Sequence, residues 1–433
     1  MSREMRHSGI EWIGEIPKEW KVIRGKYLFN VLNGFAFDSS LFTNENTYTP
    51  LIRIRDISNY ETEAYYMGDY SLDYVVKKGD VLVGMDGDFN VAKWKGRDAI
   101  LNQRVCKLHS FTDNYLPQYA YFILPMLLKG KNDVTYATTV KHLSSNDIQN
   151  FSYLVPSLSE QQKIANYLDK VCGEVDEMIA LQEQMIEELK AYKQSVITEA
   201  VTKGLNPDVP MKDSGIDWIG EVPEEWSVEK LKYLISKIES GVSVNAGNVP
   251  ASKNEIGVLK TSCVSKYIFD ANENKTVYSN EIGRVACPVR ANTIIVSRMN
   301  TPELVGACGY VNEDYDNIYL PDRLWQVHFH DVCVKYIWFV LRSSHIRNYY
   351  SSLSVGSSSS MQNISQNQFA NATIVLPPLS EQQSIASYLD TKCAEIDALI
   401  AIKQAKIDEL KDYKKSVIYE YVTGKKEVGG DLG

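Results

Sequence analysis

Pro156-Ser-Leu-Ser-Glu-Gln-Gln162 and Pro377-Pro-Leu-Ser-Glu-Gln-Gln383 are the stretches that decide how this chain is read, because the same words head two long helix-patterned runs. The agreement continues behind them at a single offset, 377 − 156 = 221: Tyr167-Leu-Asp169 matches Tyr388-Leu-Asp390, and Ser195-Val-Ile197 matches Ser416-Val-Ile418. A repeat of this length means one architecture used twice. A second pair of blocks lies upstream: Ser8-Gly-Ile-Glu-Trp-Ile-Gly-Glu-Ile-Pro17 with Trp20, and Ser214-Gly-Ile-Asp-Trp-Ile-Gly-Glu-Val-Pro223 with Trp226. Their offset is 214 − 8 = 206, so the segment between the two blocks is longer in the second half by 221 − 206 = 15 residues. That segment is also where the halves agree least.

Each LSEQQ word predicts a helix start, with Ser159/Gln162 and Ser380/Gln383 as capping-box pairs. Ile164, Leu168, Val171, Val175, Met178, Gln182, Met185, Leu189, Tyr192 and Val196 then follow steps of four and three, the period of a coiled-coil seam. The second seam is carried by Leu389, Ile396, Leu399, Ile400, Ile407, Leu410 and Val417, and Lys392, Lys403 and Lys406 interrupt it. Lys203-Gly204 and Gly424 end the two runs. A helix of about 45 residues is about 65 Å long, more than the roughly 30 Å of a domain of this size. Helix one therefore carries the chain far from the first variable segment before the second begins. The expected arrangement is antiparallel, with one globular domain at each end. Gln182 and Lys403 are equivalent polar positions near mid-helix, expected to meet near the pseudo-dyad; the alternative is that both face solvent.

The expected fold class is α+β: two similar α+β domains separated by two long antiparallel coiled-coil helices, with an internal pseudo-two-fold repeat. The expected segments are 1–156 and 207–377 for the domains, and 157–206 and 378–433 for the helical regions. The 433 residues, 44% of them hydrophobic, suffice for two cores. The N-terminus lacks the apolar stretch of a signal peptide and no run of eighteen apolar residues predicts a membrane span, so a cytoplasmic protein is expected. The seven cysteines show no close pair, as expected of reduced, mostly buried thiols. His328, His330 and Cys333 form no convincing metal set, because strand alternation accounts for them equally.

The formal net charge is −9, which at first argues against a nucleic-acid partner. Residues 157–222 carry 6 Lys+Arg against 13 Asp+Glu, whereas 17–156 carry 16 against 15 and 223–376 carry 14 against 14. The acidic excess thus lies on the first helix and its exit, leaving the variable segments balanced enough for local basic faces.

Within those segments, Arg53 and Arg55 alternate with Ile52 and Ile54 and are expected on one face of a strand. Asp86-Gly-Asp-Phe-Asn90, followed by Lys93, Lys95 and Arg97, reads as a loop suited to phosphate and base contact. Asn102 and Arg104 in Leu101-Asn-Gln-Arg104 match Arg323 in Leu320-Pro-Asp-Arg323. Lys260, Arg298 and Asn300, and the polar loop 354–363 with Ser358 and Gln362, complete the candidate DNA contacts. Phosphate-loop, dinucleotide-fold, HExxH and amino-methyltransferase motifs are missing from the sequence, and neither a catalytic centre nor a metal site is expected.

The paired pattern G-I-x-W-I-G-E-[IV]-P-x-x-W and P-x-L-S-E-Q-Q-x-I-A-x-Y-L-D, spanning essentially the whole chain, resembles the specificity subunit of type I restriction-modification systems. The resemblance implies a DNA-recognition chain whose two domains each read one half of a split, asymmetric target. The helices would set the unread gap, with Leu168, Val175, Gln182 and Leu189 facing Leu389, Ile396, Lys403 and Leu410 as the helix-helix spacer. It also implies double-stranded DNA, two methyltransferase subunits and two motor-nuclease subunits as partners. S-adenosylmethionine, ATP and Mg would sit on those partners, which carry out N6-adenine methylation and restriction; this chain would hold no cofactor. The alternatives are a specificity subunit of another restriction-modification type, or a non-DNA coiled-coil scaffold.

Overall fold

In a computed structural model of the chain, which describes residues 3–59, 61–134, 142–216, 219–358 and 361–429, both LSEQQ words begin long helices. Seven α-helices are described: α1 Pro117–Val134, α2 Ser145–Asn150, α3 Leu158–Lys203, α4 Val334–Arg342, α5 Ser344–Leu353, α6 Gln366–Ala370 and α7 Leu379–Val422. Two compact units emerge, unit 1 from residues 1–183 and 405–433, unit 2 from 184–404. The division cuts both long helices at mid-length, unlike the four segments read from sequence. Each unit owns the first half of one helix and the second half of the other.

The helix seams follow strict steps of four and three, but in a different register from the one read above. The series Leu168, Val175, Gln182, Leu189 and Val196 is buried or half-buried as expected. Its companion is Ala165, Cys172, Ile179, Ile186 and Lys193, one residue later than Ile164, Val171, Met178, Met185 and Tyr192. Met178 and Tyr192 are 50% and 57% exposed, and Leu399 of α7 is 47% exposed, so these three leave the seam. In α7 the two series recur at +221: Leu389, Ile396, Lys403, Leu410 and Val417 with Ala386, Cys393, Ile400, Ile407 and Lys414. Both candidate companions in α3 are largely apolar, so periodicity alone does not choose between them; burial does.

Within unit 1 the Tyr167 and Tyr421 rings meet at a tilt of 43°, with centroids 4.4 Å apart, and Lys414 Nζ reaches Asp176 at 2.6 Å. Rising numbers on α3 meet falling numbers on α7, the antiparallel sense. Within unit 2 the equivalent ion pair, Lys193 to Asp397 at 2.6 Å, joins the other two half-helices. Gln182 and Lys403 hold equivalent half-buried seam places, one in each unit.

The repeated words have visible jobs. Trp20 Nε1 donates to Glu160 at 2.9 Å and Trp226 Nε1 to Glu381 at 3.0 Å. Gln161, fully buried, accepts from Leu116 N and donates to Asn114 O and Pro156 O; Gln382 likewise accepts from Cys333 N and donates to Pro377 O. The side chains of LSEQQ thus lock each helix start to the backbone of its own domain. The expected capping boxes do not form: Ser157, not Ser159, accepts from the amide of Glu160, and Gln162 bonds Asn166. At the other helix ends, Gly204 and Gly424 adopt φ of +81° and +69°. A Cβ on Gly424 would strike Pro17 and Trp20, and one on Gly204 would crowd Trp226, so each glycine lets a helix end approach a lead-in block. Ile13, Ile16 and Trp20 of that block are buried, whereas Trp12 is 42% exposed; Trp218 lies outside the described residues.

The two domains share the order of their main sheet. In unit 1 an antiparallel sheet runs Val91–Lys93, Val81–Gly84, Val105–His109, Asn30–Asn33; in unit 2 it runs Cys308–Val311, Thr293–Ser297, Leu324–Phe329, Ile235–Ser240. A second sheet contains a parallel pair in each unit, Ala99–Leu101 on Thr49–Ile52 and Gly257–Leu259 on Tyr315–Tyr319. The buried runs Val-Leu-Val and Thr-Ile-Ile-Val supply the central strands, and α1 and α4 cover them from one side. The strand expected to carry Arg53 and Arg55 stops at Ile52, and its counterpart in unit 2 stops at Leu259. Each breaks into a 3-10 turn, Ile54–Asp56 and Thr261–Val264. In unit 1 the cause is Asp56, whose carboxylate captures the Arg53 amide at 3.0 Å and competes with strand pairing.

Candidate nucleic-acid interface

In each unit the loop that leaves the central strand pairs with the segment that enters the last short helix. In unit 1, Asp86 bridges His142 through the backbone, Leu143 N donates to Met85 O at 2.8 Å, and Met85 N donates to Arg104 O at 3.0 Å. In unit 2, Met299 pairs with Asn363 and Asn300 with Gln362, Ile364 N donates to Arg298 O at 3.0 Å, and Arg298 N donates to Arg323 O at 3.1 Å. The two clusters are built on the same backbone bonds. Glycines let them close: a Cβ on Gly34 would lie 2.0 Å from Asn102 O, and one on Gly241 1.6 Å from Leu320 O.

The side chains on that shared backbone differ. In unit 1, Asp86 takes a hydrogen bond from His142 Nδ1 at 2.8 Å and pairs with Arg104 Nη1 at 3.4 Å; the Arg104 and His142 side chains are 57% and 55% exposed. In unit 2, Met299 occupies the place of Asp86. Arg323 is exposed, and its guanidinium has no hydrogen-bond or ion-pair partner among the described residues. Arg298 Nε and Asn363 Oδ1 are buried without a hydrogen-bond partner among the described residues.

Comparison with known proteins decides the family. The model of the type I restriction modification DNA specificity domain matches residues 17–191 and again 223–412. The chain belongs to this family. It is 34% identical over 321 residues to the type I restriction enzyme EcoBI specificity subunit of Escherichia coli, spanning 72% of this chain and 66% of that one. It is 23% identical over 414 residues to the MjaVIII specificity subunit of Methanocaldococcus jannaschii, spanning 95% and 93%. A solved chain described under complex assembly and conformational transition of the type I R-M system shares the fold, with a TM-score of 0.66 at 16% identity, over 95% of this chain and 99% of that one.

Within this type I specificity chain the residues singled out from sequence do not form one patch per unit. Arg53 and Arg55 do not share a strand face. Arg53 caps the 3-10 turn and its guanidinium is held by both oxygens of Asp56, at 2.8 and 3.1 Å, which raises its pKa; Arg55 is exposed on the turn. Lys260 holds the equivalent place in unit 2 and pairs with Glu273 at 3.3 Å. Lys93 lies away from the Asp86 loop: it pairs with Asp169 of α3 at 2.8 Å and, with Lys95, lines a cleft of about 730 Å³ between the domain and the helices. Arg97 donates to Asn46 O and stacks near Tyr65. Asn102 accepts from Gln103 N and bridges Phe35, beside Arg104.

In unit 2, Arg298, Asn300, Arg323 and Gln362 do come together, and Ser358 lies on the adjoining strand Val355–Ser358. Asn300 Nδ2 reaches Ser297 Oγ at 3.3 Å. His328, set aside as a metal ligand, bonds Glu239 at 2.7 Å. Sequence reading missed His142 and Asn363. The signal was present: Ser144/Asp147 and Ser365/Gln368 form real capping boxes at the same 221 offset, and His142 and Asn363 each stand two residues before the cap.

Proposed function

We propose that this chain recognises a bipartite, asymmetric DNA target, unit 1 reading one half through the Asp86–Arg104–His142 cluster and unit 2 the other through Arg298, Asn300, Arg323 and Gln362. The observation that carries the reading is the pairing of one backbone scaffold with two different sets of side chains. Identical scaffolds with unlike side chains address unlike sequences, and arginine and asparagine or glutamine are the side chains that discriminate guanine and adenine in the major groove. The balanced charge of the domains makes shape and specific contacts, rather than bulk electrostatics, the source of selectivity.

The chain is proposed to be non-catalytic and cytoplasmic, and to direct two methyltransferase subunits and two motor-nuclease subunits. Those partners would bring S-adenosylmethionine, ATP and Mg and would methylate N6 of adenine or restrict unmodified DNA. Among the described residues no helix is long and apolar enough to cross a membrane. Helices of 46 and 44 residues, about 69 and 66 Å long, are proposed to fix the unread gap.

Single-molecule sequencing of methylated adenines in cells expressing this chain with its methyltransferase tests the reading. A split motif with two constant halves and a fixed gap is expected, and a helix insertion of matched heptads in α3 and α7 should lengthen that gap. A continuous motif, or a gap indifferent to helix length, would overturn it.

A further inference from the structure

The two loop clusters differ in one chemical respect that sequence divergence alone does not require: unit 1 places a carboxylate beneath its exposed cation, and among the described residues unit 2 does not. Asp86 is mostly covered, at 26% side-chain exposure, and both its oxygens are engaged, Oδ1 by His142 and Oδ2 by Arg104. The three residues come from three elements: the loop after the Val81–Gly84 strand, the turn before Val105–His109, and the segment before α2.

Those elements are already fastened by backbone bonds, Leu143 N to Met85 O and Met85 N to Arg104 O. Unit 2 keeps the equivalent bonds with Met299 in place of the acid. The carboxylate is therefore not needed to close the loops. What it restrains is a long flexible guanidinium and an imidazole ring, which otherwise lose rotamer freedom only on binding.

We propose that Asp86 is a positioning residue for DNA reading by unit 1, aiming the Arg104 guanidinium and fixing the ring and tautomer of His142 before the duplex arrives. This rests on the DNA-reading role proposed above. A carboxylate accepts, so His142 Nδ1 carries the hydrogen, and in the neutral ring Nε2 is left as an acceptor. An acceptor there matches the exocyclic amino group of adenine or cytosine. Arg104 keeps most of its donors for guanine O6 and N7 or a phosphate, because Asp86 engages one of its nitrogens. Among the described residues unit 2 has no such clamp on Arg323, so its half-site is read by a cation that orders only on contact.

The sign of one substitution separates positioning from plain electrostatics. Asp86→Asn removes a negative charge from a DNA-facing tip, and Coulomb attraction alone would tighten binding to every sequence. Positioning predicts the opposite for the cognate target. With the full chain assembled with its methyltransferase, Asp86→Asn should weaken binding to the target identified by methylation mapping by about tenfold, the scale of one lost bidentate base contact. Binding to unrelated DNA should hold or strengthen, and discrimination at the second half-site should be unchanged, which also reports a folded complex. Asp86→Asn should add nothing once both Arg104→Ala and His142→Ala are present, because no side chain is then left for it to hold, and His142→Ala alone, at an exposed position, should relax selectivity at one base of the first half-site.

Cognate binding by Asp86→Asn that equals or exceeds the parent's, with Arg104→Ala still impaired, would overturn the clamp and leave the DNA-reading role standing. If Arg104→Ala also left first half-site discrimination intact, both the clamp and the assignment of this tip to DNA would fall.

Discussion

Unit 1 and unit 2 agree at the contacts that fasten each domain to its helices and differ at the loop clusters that carry the candidate DNA contacts. The Trp20–Glu160 and Trp226–Glu381 bonds, the buried Gln161 and Gln382, and the ion pairs Lys414–Asp176 and Lys193–Asp397 recur as equivalents. Tyr119 OH donates to Val422 O and Tyr336 OH to Val201 O, again at equivalent places. At the loop clusters, by contrast, Asp86 and His142 are replaced by Met299 and Asn363 on one shared backbone scaffold, beside an arginine kept as Arg104 and Arg323. Burial explains the agreement at the glutamines and the tyrosines. A buried donor or acceptor leaves few chemical alternatives, whereas an exposed tip is free to vary with what it reads.

The comparison breaks most readily at the buried glutamines. Gln161→Leu strands one amide and two carbonyls and should cost unit 1 about 3–5 kcal/mol of local stability. Gln382→Leu strands one amide and one carbonyl in unit 2, with an expected cost of about 2–4 kcal/mol; hydrogen exchange resolved by unit reads both. Equal damage to both units by either variant would mean that the units do not behave separately. Trp226→Phe keeps most of the apolar burial but leaves Glu381 without its indole donor, and a loss of about 1.5–3 kcal/mol is expected in denaturant titration.

Arg298→Ala or Arg323→Ala should weaken cognate DNA binding by about 1–3 kcal/mol while relaxing only the second half-site. Exchanging residues 223–376 for another recognition domain sharpens the same point, because methylation mapping should then show one new half and one old. Lys193→Met and Lys414→Met should shift stability least, by about 0–1 kcal/mol, since each pair is partly open to solvent and screened by salt. A larger effect in thermal melts would show that the seam, rather than the domains, limits stability.

Much of the frame was legible beforehand because repeats and heptads are sequence properties. The capping boxes assigned to Ser159 and Ser380 failed because both serines lie inside the first turn: Ser157 accepts from the amide of Glu160, and in the second helix Pro378 O accepts from the amide of Glu381. The strand face assigned to Arg53 and Arg55 failed for a related reason: Asp56, three residues on, offers the backbone a local bond that alternation does not register. The candidate site was legible in part. Arg104, Arg298, Asn300 and Arg323 lie at the tips, whereas Lys93 and Arg53 are tied to Asp169 and Asp56 by contacts that depend on the folded chain.

By itself the sequence determined two copies of one architecture, the two long helices, and the seam positions Leu168, Val175, Leu189, Leu389, Ile396 and Leu410, because the spacing of apolar side chains is written along the chain. Only the tertiary structure decided that Cys172 and Ile186 rather than Val171 and Met185 complete the seam, and that Asp86 meets His142 across 56 residues. Those choices depend on which neighbour removes a side chain from water or satisfies its charge, and that neighbour is distant in sequence.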